Sequence, residues 1–225
     1  MYFSFSLLNA EEEKPERPML LSADIVFIVD SSFDVSLENY QKEKEFVKSL
    51  VKTLYLAPGK SRGSVIINDR IVIRLDDHSN STTFDRAVDD LPYFGSLRRM
   101  DLGLQQSVAA LRDARLGIPT VVILLTAGRQ NSSTYRLRES VKPLRNLGSK
   151  VFVVSIGSRP DDQELLPVVE RPNDIIRVSA FDDLTSEIRT IARHIVNRTG
   201  TKRVYVFVSD TACIFNNYSS SSNGL

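Results

Sequence analysis

The 225 residues carry 29 basic and 28 acidic side chains, 42% hydrophobic residues and one cysteine. So even a charge balance lacks the electrostatic footprint of a nucleic-acid binder or of a protein held to anionic membranes by net charge. The single Cys213 rules out an intramolecular disulfide, and the longest apolar run, Val121–Leu125, is strand-sized, well short of the ~18–20 residues of a membrane span.

Met1–Ala10 has a short apolar stretch without a basic start, which reads as a truncated signal or the ragged start of a gene fragment. Glu11–Pro18 is charged and contains two prolines, the composition of a solvated linker. Residues 1–22 therefore read as a leading segment, 23–198 as one domain, and 199–225 as a largely disordered, serine-rich tail.

Within the domain, Ala23–Asp30 is a nearly unbroken apolar run ending in a carboxylate, the pattern of a central parallel strand covered on both faces. Ser36–Leu56 spaces its apolar residues by three and four, predicting an amphipathic helix capped by Ser36. Gly63–Asn68 and Ile71–Leu75 predict a hairpin that brings one antiparallel strand. Thr82–Leu91 and Asp101–Leu116 predict helices, and Pro119–Leu125 another buried strand. Tyr135–Leu147 predicts a helix closed by Gly148, with Pro143 expected to distort or shorten it. Lys150–Gly157 predicts a core strand, Gln163–Glu170 a short helix, Asp174–Val178 a last strand and Asp182–Asn197 a final helix. Arg203–Val208 offers an extra strand. Strands alternating with helices give an α/β class: a doubly wound sheet of five parallel strands and one antiparallel edge strand, with helices on both faces.

Ligands of open α/β sheets sit beyond the carboxyl ends of the strands. Three segments fall there: IVFIVDSSFD, YFGSLRRMDLGL and VVILLTAGR. Together with the order of the elements from about Asp24 to Asn197, they resemble the von Willebrand factor type A module, and its extracellular-matrix group in particular, which includes the non-triple-helical modules of collagen VI. The resemblance implies a Rossmann-like sheet, an adhesion or matrix-binding role, and a metal-ion-dependent adhesion site of the pattern D-x-S-x-S, a threonine before glycine, and T-D-G.

A hard cation such as Mg²⁺ takes oxygen ligands in near-octahedral geometry and leaves a position for an acidic ligand. Against that pattern Asp30 and Ser32 match, Asp34 stands for the second serine, Met100 for the threonine and Ala127 for the aspartate. Two oxygen donors are lost, and a thioether does not replace them for Mg²⁺. The metal candidates are thus Asp30, Ser32 and Asp34, a degenerate set, with neighbouring Asp101 as a further carboxylate. No cofactor is expected beyond a weak Mg²⁺ site as the alternative.

Arg98, Arg99, Asp101 and Arg129, with Arg112 and Arg115 nearby in sequence, suggest a ligand-binding rim for acidic matrix proteins or sulfated glycans. The sequons at Asn80, Asn131, Asn197 and Asn217 are glycosylation candidates of a secreted protein. No phosphate-binding glycine loop or nucleophile elbow is present, and His78 and His194 read as solvent-facing, so no enzyme chemistry is expected.

The expectation is a non-enzymatic, metal-independent module of the extracellular matrix that binds proteins, without nucleic acid or membrane insertion. Two alternatives stay open: a Mg²⁺-dependent adhesion module, and an intracellular signalling or hydrolase-like α/β domain. A phospho-acceptor receiver would need an acceptor aspartate where Asn68 ends GSVIIN.

Overall fold

A computed structural model describes residues 21–129 and 133–199 and the strands at 205–208 and 211–214. A six-stranded sheet organises the domain: β1 (Asp24–Val29), β2 (Arg62–Ile67), β3 (Arg70–Ile73), β4 (Thr120–Thr126), β5 (Lys150–Ile156) and β6 (Ile175–Val178). Their spatial order is β3-β2-β1-β4-β5-β6, all parallel except the β2–β3 hairpin. This is the expected doubly wound sheet with one antiparallel edge strand. β2 and β4 flank β1 on opposite sides, so the order reverses there, and such a switch point opens a crevice at the carboxyl ends.

Alternation along β1 divides the core. Ile25, Phe27 and Val29 point into one layer, with Tyr40, Phe46 and Leu50 of α1 (Leu37–Thr53), Phe84 of α2 (Ser81–Asp89) and Ile191 of α6 (Ile188–Thr199). Val26 and Ile28 point into the other, with Leu104 of α3 (Met100–Ala110) and Leu137 and Val141 of α4 (Thr134–Asn146). Each fully buried Leu, Ile or Phe contributes ~1.5–3 kcal/mol of transfer free energy. Both faces of β1 are therefore covered, which accounts for its unbroken apolar run.

The α3 helix lies close against β1 because Gly103 faces it: a Cβ there would stand 2.6 Å from Ile28 Cγ2. At the start of α1, Ser36 accepts a hydrogen bond from Asn39 N as expected of its cap. Pro143 lies inside α4 without ending it. It sits on the exposed face, where the Glu139 carbonyl deprived of its donor can meet water. Three predicted helices are shorter: α3 ends at Ala110 with a 3₁₀ turn over Leu111–Asp113, α5 covers only Asp162–Leu165, and the last helix starts at Ile188 after a 3₁₀ turn at Phe181–Asp183. Leu37, the first apolar residue of α1, is exposed, while Glu43 and Lys44 of the same helix are buried.

His194 is not simply solvent-facing: its ring meets Phe152 edge-on, and Nε2 lies 3.0 Å from Asp174 Oδ1. The offered strand is Tyr205–Val208 (β7), paired antiparallel with Thr211–Ile214 (β8), which places Cys213 opposite Val206. The serine-rich end and the leading residues 1–20 lie outside the described residues. No described helix is long and apolar enough to cross a membrane.

At the amino end of β1, fully buried Asp24 receives both Arg62 (Nε 2.9 Å, Nη2 2.8 Å) and Arg115 (backbone N 2.7 Å, Nε 3.0 Å). Burial alone would raise its pKa, but the hydrogen bonds from Arg62 and Arg115 outweigh burial and hold it below the ordinary value. A depressed folded-state pKa stabilises the fold above the unfolded carboxylate's ~3.9, and that contribution is lost as pH falls through the folded value. Asp24→Asn is expected to cost about 3 kcal/mol at pH 7 by urea denaturation, the low end for a broken buried pair because both arginines reach solvent. The gap from the parent should close as pH drops below about 4; a gap constant with pH would contradict this account.

Candidate functional site

Asp30 is the first residue past β1 and is buried, with its backbone N–H donating to Glu43 Oε2 at 3.0 Å. Its carboxylate turns back on the following loop. Oδ1 accepts from Ser32 N at 3.1 Å, and Oδ2 accepts from Ala127 N, beyond β4, at 3.3 Å. One side chain thus ties together two loops that the parallel register of β1 and β4 brings to the same edge of the sheet.

Into this pocket reaches Arg98, from the segment between α2 and α3. Its Nε donates to Asp30 Oδ2 at 2.6 Å, Nη2 to Ser32 Oγ at 3.0 Å, and Nη1 to Asp34 Oδ2 at 3.1 Å and to the Arg129 carbonyl at 3.0 Å. The residue is 3% exposed. A guanidinium is planar, always charged and offers five N–H donors in a fixed fork, which suits it to two carboxylates on one side. Room for it depends on Gly128, where a Cβ would stand 2.5 Å from Nη1.

The surrounding loops hold this geometry. Ser32 bridges to Ser96, two residues before Arg98, and Phe33 N donates to Ser96 O at 3.0 Å. Asn68, at positive φ after β2, donates to Ser96 Oγ at 2.8 Å and Ser31 Oγ at 3.3 Å. Tyr93 Oη donates to the Val35 carbonyl at 2.7 Å. The cavity lined by Asp30, Asn68, Arg98 and Met100 is only about 10 Å³, too small for a ligand.

The three side chains assigned to a cation from sequence, Asp30, Ser32 and Asp34, do converge, and all three converge on Arg98. Such a set does not fit a divalent ion while Arg98 is present. The oxygens that would bind it are hydrogen-bonded to a resident positive charge, and a second cation within a few ångströms would be repelled at low dielectric. Met100, the first residue of α3, is buried in the core, and Ala127 brings only its backbone N–H. Among the described residues, no group of three or more His, Cys, Asp or Glu is arranged to hold a metal ion.

The basic rim is not gathered as the sequence suggested. Arg98 is buried rather than presented, since it is the partner of two carboxylates. Arg99 pairs with its near neighbour Asp101 (Nε–Oδ1 3.0 Å), whose carboxylate is buried. Arg115 is engaged at the opposite end of β1, with Arg112 three residues before it. Arg129 is widely exposed, its side chain at 72%, 3.3 Å from Asp161 beside an open polar groove of about 530 Å³ over the ends of β4–β6. Of the sequons, Asn80 is exposed and caps α2, and Asn197 is exposed on α6; Asn131 and Asn217 lie outside the described residues.

Glu43 escaped the sequence reading, hidden among charged neighbours in QKEKEF. It is fully buried beneath Asp30, and its Oε1 has no hydrogen-bond partner. Burial first, and then the charge of Asp30, raise its pKa well above the ordinary value, against the lowering effect of the Asp30 N–H and Arg98.

A family model described as "von Willebrand factor type A domain" matches residues 24–194. The human "von Willebrand factor A domain-containing protein 2" is 30% identical over 169 residues, which are 72% of this chain and 22% of that protein. The rat "von Willebrand factor A domain-containing protein 1" is 31% identical over 66% of this chain and 37% of its own length. The mouse "Collagen alpha-4(VI) chain" is 29% identical over 90% of this chain and 9% of its own. The chain thus spans well under half of these relatives. Among solved structures, proximal thread matrix protein 1 from the mussel byssus superposes with a TM-score of 0.72 at 20% identity, covering 78% of this chain and 48% of that one. A second structure of that protein, described as having a zinc-occupied MIDAS motif, superposes with a TM-score of 0.69 at 19% identity, covering 78% and 48%.

The raised pKa of Glu43 has a definite sign. Between the ordinary carboxyl value of ~4.3 and the higher folded value, the native state holds a proton that the unfolded chain has lost, so stability falls as pH rises. Glu43→Gln keeps an acceptor for Asp30 N and removes that loss. Its unfolding midpoint in urea is expected to match the parent's near pH 4 and exceed it at pH 7.5; a midpoint difference that ignores pH would refute the assignment.

Proposed function

Because the chain belongs to the von Willebrand factor type A domain family, we propose that it is a metal-independent recognition module of the extracellular matrix, binding protein ligands without catalysis. The observation that carries this reading is the composition of the face above Arg98. The polar groups that would serve an ion there are turned inward onto a guanidinium, while Phe33 (58% exposed) and Leu97 (54%) flank them, with Phe94 stacked by Arg70 at 5.1 Å. Large exposed apolar and aromatic side chains on loops fixed by a rigid sheet are suited to protein contacts.

The family's matrix members support the extracellular half of the reading. Collagen VI chains and matrilins are among the relatives, and the sequon residues Asn80 and Asn197 are exposed. The cluster pairs acids with an arginine and contains no nucleophile beside a base, which supports the non-enzymatic half. The zinc-occupied motif of the mussel protein marks the alternative, a cation-dependent module; the Arg98 contacts argue against it here.

Two measurements test the reading. Biolayer interferometry against purified collagen VI and matrilins is expected to give saturable binding that is the same in Mg²⁺ and in EDTA, and Phe33→Asp or Leu97→Asp should weaken it about tenfold or more. Loss of binding in EDTA would favour the cation-dependent module, and no binding to either would remove the matrix assignment. Material secreted by cultured cells should shift in gel mobility on enzymatic deglycosylation; retention inside the cell without a shift would favour the intracellular alternative.

A further inference from the structure

We propose that Arg98 is the resident cation of this module: its guanidinium takes the place of an exchangeable metal ion, binding the three top-face loops together, and its removal uncovers a latent divalent-cation site. The claim rests on the metal-independent half of the proposed function, yet none of its readouts involves a partner protein.

Three observations lead to it. First, Asp30 Oδ2, Asp34 Oδ2 and Ser32 Oγ, which come from one turn, all lie within 3.1 Å of a single guanidinium. Two carboxylates and a hydroxyl around one positive charge is an oxygen-rich donor set of the kind a hard cation uses. Second, Arg98 is 3% exposed, so its desolvation must be offset by those anions and by the Arg129 carbonyl. An arginine serving only as surface charge would not be drawn into the fold.

Third, the space is shaped to the arginine. Gly128 leaves Nη1 the volume that any Cβ would occupy at 2.5 Å, and the Ser32–Ser96 bridge fixes the main chain two residues before Arg98. A tethered cation cannot be diluted away or chelated. The loops after β1 and β4 and the segment before α3 therefore stay joined at any ion concentration.

The test uses the full chain. Isothermal titration of the parent with MnCl₂ or MgCl₂ is expected to show no saturable heat, and its melting temperature should be the same in EDTA and in millimolar Mn²⁺. Arg98→Ala should melt about 10 °C or more below the parent in EDTA. Millimolar Mn²⁺ should then raise its melting temperature by several degrees, as expected for ligand binding to the native state alone. That rise should vanish in Arg98→Ala with Asp30→Asn, and methylguanidinium should reproduce part of it.

Gly128→Ala should destabilise the parent but cost little in the Arg98→Ala background, a coupling that reports eviction of the guanidinium. If Arg98→Ala does not fold in EDTA, refolding in Mn²⁺ replaces the melting shift: recovery supports the proposal and failure in both media overturns it. Saturable Mn²⁺ binding by the parent, abolished by Asp30→Asn, would also overturn it. An Arg98→Ala variant indifferent to both Mn²⁺ and methylguanidinium would do so while leaving the protein-binding reading intact.

Discussion

A guanidinium withdrawn from water has to find opposing charge and acceptors for its N–H groups, or the fold loses several kcal/mol. In this chain that requirement organises the carboxyl edge of the sheet. Asp30 lies there because β1 ends just before it, and Gly128 and Arg129 because β4 runs parallel beside β1 and ends at the same edge. Arg98 reaches the same point from the connection into α3, whose close approach to β1 relies on Gly103. The topology brings the groups together, and the ion pairs then hold the loops that the topology leaves irregular.

Charge at the two ends of β1 is arranged in opposite senses. At the amino end one buried aspartate, Asp24, is shared by Arg62 and Arg115; at the carboxyl end one buried arginine is shared by Asp30 and Asp34. The second arrangement already has an excess of acid, and Glu43 lies directly beneath it without a cation of its own. Burial and the Asp30 charge together push its pKa up, toward the protonated form. A residue that looks like another solvated glutamate is thus shifted toward its neutral form at the base of the site.

The fold was legible because its signals are local and periodic. Runs such as ADIVFIVD and PTVVILL can be buried on both faces only in a central sheet, and Ser36 declares the start of α1. Helix lengths were less legible, since Pro143 is tolerated by a solvent-facing carbonyl and α5 stops after four residues, two before Pro167, which has no N–H to continue it.

At the site, Asp30, Ser32 and Asp34 could be grouped from one turn, but nothing in SLRRM separates Arg98, which is buried, from Arg99, which is not. The difference arises from contacts more than sixty residues away in the chain. One clue was available: two carboxylates at a sheet edge, with the ion-binding aspartate replaced by Ala127, still call for a positive charge. Gly128 in TAGR marks where that charge needs room.

On the proposed reading, a side chain in place of an ion changes what the edge of the sheet can recognise. A bound ion with an open coordination position attracts a ligand carboxylate directly. A guanidinium whose donors point to Asp30, Ser32, Asp34 and the Arg129 carbonyl, and which is itself buried, presents its charge inward. Contact energy must then come from what remains outside, chiefly Phe33 and Leu97, whose backbones are fixed to each other through Ser96. Such a surface is preorganised without any ion, so less ordering entropy opposes binding. Its affinity would depend on shape and apolar burial, and respond weakly to salt or chelators. Selectivity would then follow the side chains at positions 33, 94 and 97, while Arg98 and Gly128 would be constrained by the packing beneath them.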